Sequence, residues 1–181
     1  MNVEIVPLVP NGALFEGAIH VYAEAFNEPP YCDPDRGNAI RDRLRGEHSR
    51  RAGFRALAAL GPGHRVAGMV YGYRGLHGQW WHDTVAKALP RAQAQAWLAD
   101  SYELVELAVH PRCQRQGVAT ALIEALIEGQ SERTCVLSTR TDSEAHLLYS
   151  RLGFEPITQM PFAPKGALFH IMGLRLQPIG G

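Results

Sequence analysis

The sequence predicts a mixed α/β domain. Its apolar residues switch between strand-like alternation and helical spacing along the whole chain. The elements then read as strand, two helices, three strands, helix, strand, helix, two strands, an order that mixes both element types in one core. No internal repeat, low-complexity block or linker divides the chain, and 181 residues suit one sizeable core. A single domain over 1–181 is therefore expected, with a helical insertion at about 74–101.

Val3 to Val9 reads as a strand, and Pro7 inside it argues for an edge position or an early end. Phe15, Ala18, Ile19, Tyr22 and Phe26 fall on one helical face. Asn27 to Asp35 is a loop fixed by Pro29, Pro30 and Pro34, and Asp35 is placed to cap a second helix with Ile40 and Leu44 on its apolar side. Two strand patterns flank Gly61-Pro62-Gly63-His64, which reads as a hairpin. The insertion that follows has helical pieces split by Pro90. Tyr102 to Val109 is the next strand. Its helix carries Val118, Leu122 and Ala125 in line and ends at Gly129. A short buried strand around Cys135 follows, then a helix ended by Gly153. Strands at Phe154 to Gln159 and Leu168 to Leu176 close the chain.

Composition narrows the function. Lys plus Arg equals Asp plus Glu, and the formal net charge is zero, which argues against a general nucleic-acid binder. No apolar run reaches membrane-spanning length, and no signal peptide is visible, so neither nucleic acid nor membrane is an expected partner. Three cysteines, Cys32, Cys113 and Cys135, lie far apart without CxxC spacing, which fits a reducing cytoplasm better than a disulfide framework. The eight histidines show no metal-ligand spacing, so no metal is expected.

The segment Gln114-Arg115-Gln116-Gly117-Val118-Ala119 joins an apolar strand to an amphipathic helix. A helix N-terminus leaves backbone N–H groups without partners and adds partial positive charge. A turn feeding it can aim several of those donors at one anion. Gly117 removes the Cβ from the approach, and Arg115 adds a charged donor. The same arrangement also serves as an ordinary strand-to-helix turn, and it is neither GxxxxGK[ST] nor GxGxxG.

The stretch LAVHPRCQRQGVATAL resembles the pyrophosphate-binding motif of the GCN5-related N-acetyltransferases, the GNAT superfamily, with Gln114, Gly117 and Ala119 at its defining positions. Downstream, DSEAHLLYSRLGFEP is similar to a second signature of that family, matched at Ala145, Leu148, Tyr149, Gly153 and Phe154; Asp142 stands where the family usually has asparagine. The resemblance covers about Tyr102 to Pro156 and implies the acyl-CoA N-acyltransferase fold, a mixed central sheet flanked by helices. It further implies a sheet splayed beside the Tyr102–Val109 strand, with the pantetheine of acetyl-CoA along Leu107, Ala108 and Val109. The pyrophosphate would then sit among Gln114, Arg115, Gln116, Gly117, Val118, Ala119 and Thr120.

The implied reaction moves an acetyl group from acetyl-CoA to a primary amine of a small molecule or peptide, by direct attack in a ternary complex. A domain that binds acyl-CoA without transferring it is the alternative. A backbone N–H at Leu107 or Ala108 would stabilise the oxyanion. Glu103 stands where histone-acetylating relatives carry their base, and Tyr149 matches a tyrosine often placed beside the coenzyme sulfur. Glu103 and Glu106 equally read as strand residues whose side chains reach water, on opposite faces of a regular strand, and Tyr149 as a core aromatic. Tyr31, Tyr73, Trp80 and Trp81 are the acceptor-binding candidates, since aromatics suit a cationic or amphipathic amine. Trp80 and Trp81 also fit as anchors of the insertion, and His110 as a loop residue. A homodimer is compatible with all of this.

Overall fold

The computed structural model describes residues 1–177; 178–181, included above in the single domain, lie outside the described residues. Seven strands form one sheet in the order β1-β2-β3-β4-β5-β7-β6. By contacts the chain divides into two compact units: Met1–Tyr73 with Val105–Glu128, and Arg74–Leu104 with the chain from Gly129 on. The insertion expected at 74–101 thus belongs to the second unit.

In the first unit, β1 (Glu4–Pro7) is an edge strand that stops at Pro7, whose ring removes the donor a longer ladder would need. It pairs antiparallel with β2 (Arg55–Leu60), and β2 pairs antiparallel with β3 (Val66–Gly75) around the expected turn. Helix α1 (Phe15–Asn27) buries Phe15, Ala18, Ile19, Tyr22 and Phe26, the face its spacing predicts. Helix α2 (Arg36–Arg45) buries Ile40 and Leu44. Asp35 does not cap it: the side chain accepts no capping hydrogen bond, and Asp33 Oδ1 instead accepts from the Asp35 amide at 3.2 Å. The first-turn amides of the helix are met by backbone instead: Arg36 donates to the Asp33 carbonyl at 3.4 Å and Asn38 to the Asp35 carbonyl at 3.1 Å. These two helices pack with Met69, Tyr71 and Tyr73 of β3 and with Ala108 of β4 (Ser101–Val109) in one apolar cluster.

The opposite face of β3 takes α5 (Val118–Ile127), which buries Val118, Leu122, Ile123 and Leu126. Gly68 makes this close seat possible: a Cβ there would stand 2.9 Å from Leu122 and 3.0 Å from the Ala108 carbonyl. Ile123 and Leu126, rather than Ala125, complete the buried stripe.

In the second unit, β4 pairs parallel with β5 (Thr134–Arg140) at Ser101↔Thr134, Tyr102↔Cys135 and Glu103↔Val136. Strand β5 pairs antiparallel with β7 (Leu168–Arg175), which pairs antiparallel with β6 (Glu155–Pro161). Helices α3 (Trp80–Ala88) and α4 (Arg91–Leu98) are split at Pro90 as expected, and their Val85, Trp97 and Leu98, with Leu89 between them, form a core with Val136 and Ile171. Helix α6 (Ala145–Arg151) precedes Gly153, whose φ of +90° ends it. Among the described residues, no helix is long and apolar enough to cross a membrane.

Candidate active site

The loop after β4 is shaped by its own polar groups. His110 Nδ1 accepts from the Arg112 amide at 3.2 Å, which gives that histidine the loop role its position suggested. Gln114 Nε2 donates to the Val109 carbonyl at 3.2 Å, and Gln116 Nε2 to the Arg112 carbonyl at 3.0 Å. Two residues then turn the chain through positive φ, Arg115 at 58° and Gly117 at 84°. Gly117 is favoured there by its φ of 84° alone, since a Cβ at this position would meet nothing within 4 Å. The first bond of α5 runs from the Ala121 amide to the Gly117 carbonyl at 3.1 Å. The amides of Val118, Ala119 and Thr120 therefore lie ahead of the helix's own ladder, at its positive end. A ten-residue helix, a left-handed glycine and open space at its Cα make a fitting cradle for a pyrophosphate.

Two residues before Ala108, Glu106 is only 9% exposed. Arg36 Nη2 lies 3.7 Å from its Oε2 and Arg43 Nη1 3.8 Å from its Oε1, with the Tyr22 hydroxyl of α1 beside them. Burial pushes the carboxyl up, and Arg36, Tyr22 and Arg43 partly offset it. Arg36 also donates from Nε to the Tyr22 hydroxyl at 2.8 Å, and its guanidinium covers the rings of Phe26 and Tyr31 at 4.1 and 5.1 Å. Tyr31 thus already stacks against a cation from its own chain. Nearby, His48 Nδ1 meets the Tyr71 hydroxyl at 2.9 Å, and Arg51 donates to the Tyr73 hydroxyl. The His48 ring is pushed down to about 4, chiefly by burial and then by Arg51 and Arg43, so it is neutral at pH 7.

In the second unit, Glu103 is 3% exposed, so neither strand glutamate reaches water. Cys135 on β5 is fully buried, and its thiol is pushed up to about 12, first by burial and then by the charges of Glu103 and Glu132. Tyr149 is buried, its ring edge-on to Phe154 at 5.7 Å. Trp81 donates from Nε1 to Ser138 Oγ at 3.1 Å and packs on the unit's core, which anchors the insertion. Trp80 is exposed against Phe162 at 5.4 Å. Asp142 receives two hydrogen bonds from Arg140, at 2.9 and 2.6 Å, so the residue standing in place of asparagine is charge-compensated. Among the described residues, no group of three or more His, Cys, Asp or Glu could hold a metal ion.

The sequence reading passed over Tyr22, Arg36, Arg43 and His48. A signal was available: a charged residue, Glu106, inside an apolar strand needs a partner, and Arg36 and Arg43 stand seven residues apart on one face of α2.

Comparison with known proteins gives a consistent picture. The family model for an acetyltransferase (GNAT) domain matches residues 64–156. A GCN5-like protein acetyltransferase of Mycobacterium tuberculosis is 31% identical, over 88% of this chain and 90% of that protein. The ribosomal-protein-S18-alanine N-acetyltransferase of Escherichia coli is similar in structure, with TM-score 0.65 and 21% identity over 99% of this chain and 97% of that one. The NatC complex, solved with a Gag peptide and CoA, contains a chain with TM-score 0.59 and 16% identity, covering 98% and 100% of the two chains. At these identities the two structures speak for the fold alone.

Proposed function

The chain belongs to the GNAT acetyltransferase family, and from that premise we propose that it moves an acetyl group from acetyl-CoA to a primary amine by direct attack in a ternary complex. The observation that carries this is the cradle before α5: left-handed Gly117, the α5 amides ahead of the helical ladder, and Arg115 beside them. When bound there, acetyl-CoA supplies an activated acyl thioester. Gln114 to Thr120 hold its pyrophosphate, and Leu107, Ala108 and Val109 hold the pantetheine by strand addition.

The remaining work falls to the chain's own groups. A backbone N–H at Leu107 or Ala108 polarises the thioester carbonyl. A lysine-like amine, with a pKa of about 10, is protonated at neutral pH and must lose a proton before attack. Glu103, 3% exposed on β4, accepts that proton. Tyr149 gives a proton to the leaving thiolate, whose own pKa is about 8.5. Direct attack is favoured over an acyl-enzyme on Cys135, because that thiol stays protonated far above neutral pH. Tyr73, Trp80, Trp81 and Tyr31 remain the aromatic contacts for the acceptor, with Tyr31 acting through the Arg36 stacked on it.

Thiol release from acetyl-CoA across a panel of amines and peptides tests the reading. Release with some of them establishes transfer. Release with none, while coenzyme A still raises the melting temperature, would reduce the protein to a binding module and end the transferase reading.

A further inference from the structure

Resting on that transfer reading, the charges of the first unit select among acceptors. Two guanidiniums converge on one buried carboxylate, Arg36 at 3.7 Å and Arg43 at 3.8 Å from Glu106. One carboxylate neutralises at most one of them, and burial favours its uncharged form. A third cation, Arg51, is answered by Glu47. Across these pairs one guanidinium is left over, and the nearby His48 ring is held neutral first by burial and then by Arg51 and Arg43.

The two arginines facing Glu106 differ in what they have left to offer. Arg36 is committed to the Tyr22 hydroxyl and to the Phe26 and Tyr31 rings. Tyr31, one of the rings open to a cationic acceptor by sequence, is therefore already covered. Arg43 has 54% of its side chain exposed, and its approach to Glu106 at 3.8 Å lies beyond hydrogen-bond range. Among the described residues its side chain donates no hydrogen bond. Its planar fork of five N–H donors matches a carboxylate.

We propose that Arg43 binds a carboxylate carried by the acceptor, so that the substrate is an amine bearing an acidic group rather than a polycation. Glu106 holds the Arg43 guanidinium toward the substrate, and Arg36 keeps Glu106 in place. The acid can belong to a small amino acid or to an acidic residue beside a peptide N-terminus; both present the same group to Arg43.

Matched acceptors separate this from a merely structural cluster. β-Alanine is compared with propylamine, and peptides with glutamate are compared with the same peptides carrying glutamine after the N-terminal residue. The acidic member of at least one pair is expected to show about tenfold higher kcat/KM, carried by KM and equal to about 1.4 kcal/mol. Arg43→Gln should bring that ratio close to one with an unchanged melting temperature. Arg41→Gln, on the same helix but paired with Glu16 and Asn38, should leave it intact. Calorimetry of N-acetyl-β-alanine against N-propylacetamide, with coenzyme A present, reads the same preference without turnover. No preference in the parent by either method, or a preference that survives Arg43→Gln, overturns the proposal. Arg43-dependent binding of the acetylated acid without thiol release from any amine would sink the transfer reading and leave the carboxylate site standing.

Discussion

Arg36 Nη2 stands 3.7 Å from Glu106 Oε2, a guanidinium from α2 set against a nine-tenths buried carboxylate of β4. Breaking a fully buried ion pair costs about 3–5 kcal/mol, because the stranded charge stays desolvated. Here both arginines keep access to water, at 31% and 54% side-chain exposure, so Glu106→Ala is expected to cost about 1–3 kcal/mol. For a chain of this length that lowers the melting temperature by several degrees, read by calorimetry or circular dichroism. No loss at all would mean that the pair is not formed in solution.

The same glutamate sets a pH dependence. Burial raises its folded-state pKa, so the neutral form is favoured on folding. Its contribution is complete below the ordinary carboxylate pKa of about 4.3 and is lost as pH rises through the raised value. Glu106→Gln removes that titration. The melting temperature of the variant relative to the parent should therefore climb from pH 4 to pH 7. A gap that stays constant over that range would contradict the raised pKa.

His48 runs in the opposite direction. Its folded-state pKa is pushed down from 6.5 to about 4, so its stabilising contribution is present above 6.5 and disappears as pH falls toward 4. The ring is only partly buried, so after solvent screening the loss is about 1 kcal/mol. His48→Gln, which can still reach the Tyr71 hydroxyl, should flatten the acid side of the stability curve. Melting scans from pH 7 to pH 4 should show the parent falling faster than this variant. Equal slopes would place His48 in water.

The elements were legible because most of them announce themselves locally. Pro7, Pro90 and Gly153 end or split elements where the sequence places them, and the α1 face follows from spacing alone. The loop of the candidate site was legible for the same reason, since Gly117 needs only its own φ to be explained. What escaped was long-range. Glu106 meets residues of α1 and α2 that are far from it in sequence, and no periodicity reports that they converge. Asp35 shows the complementary failure, a good capping residue passed over because Asp33 serves the turn first.

Gly117→Ala isolates the backbone requirement of the cradle. A Cβ would enter open space, so no clash is expected, but φ of +84° costs a non-glycine residue about 1–2 kcal/mol. The loop relieves that strain by leaving the conformation that aims its amides. Coenzyme A should then bind more weakly, by about tenfold, while the apoprotein melts only a few degrees lower. Gly117→Glu adds a negative charge at the same helix end and should reduce binding further. Unchanged coenzyme A affinity in both variants, by calorimetry, would move the pyrophosphate elsewhere.

Tyr149→Phe and Glu103→Gln divide the proposed proton transfers. The Tyr149 ring packs edge-on against Phe154, and phenylalanine keeps that contact, so the variant should melt within about 1 kcal/mol of the parent. Losing the hydroxyl removes the donor to the leaving thiolate, and kcat should fall by about ten- to a hundredfold with KM for acetyl-CoA little changed. Glu103→Gln removes the proton acceptor instead. Its rate should become more dependent on high pH, because only amine already deprotonated in solution can attack. The pH profiles of kcat/KM therefore distinguish the two variants: the base variant gains activity toward pH 10, and the acid variant does not. Full turnover by Tyr149→Phe would remove the tyrosine from the mechanism, and a parent-like profile for Glu103→Gln would remove the glutamate.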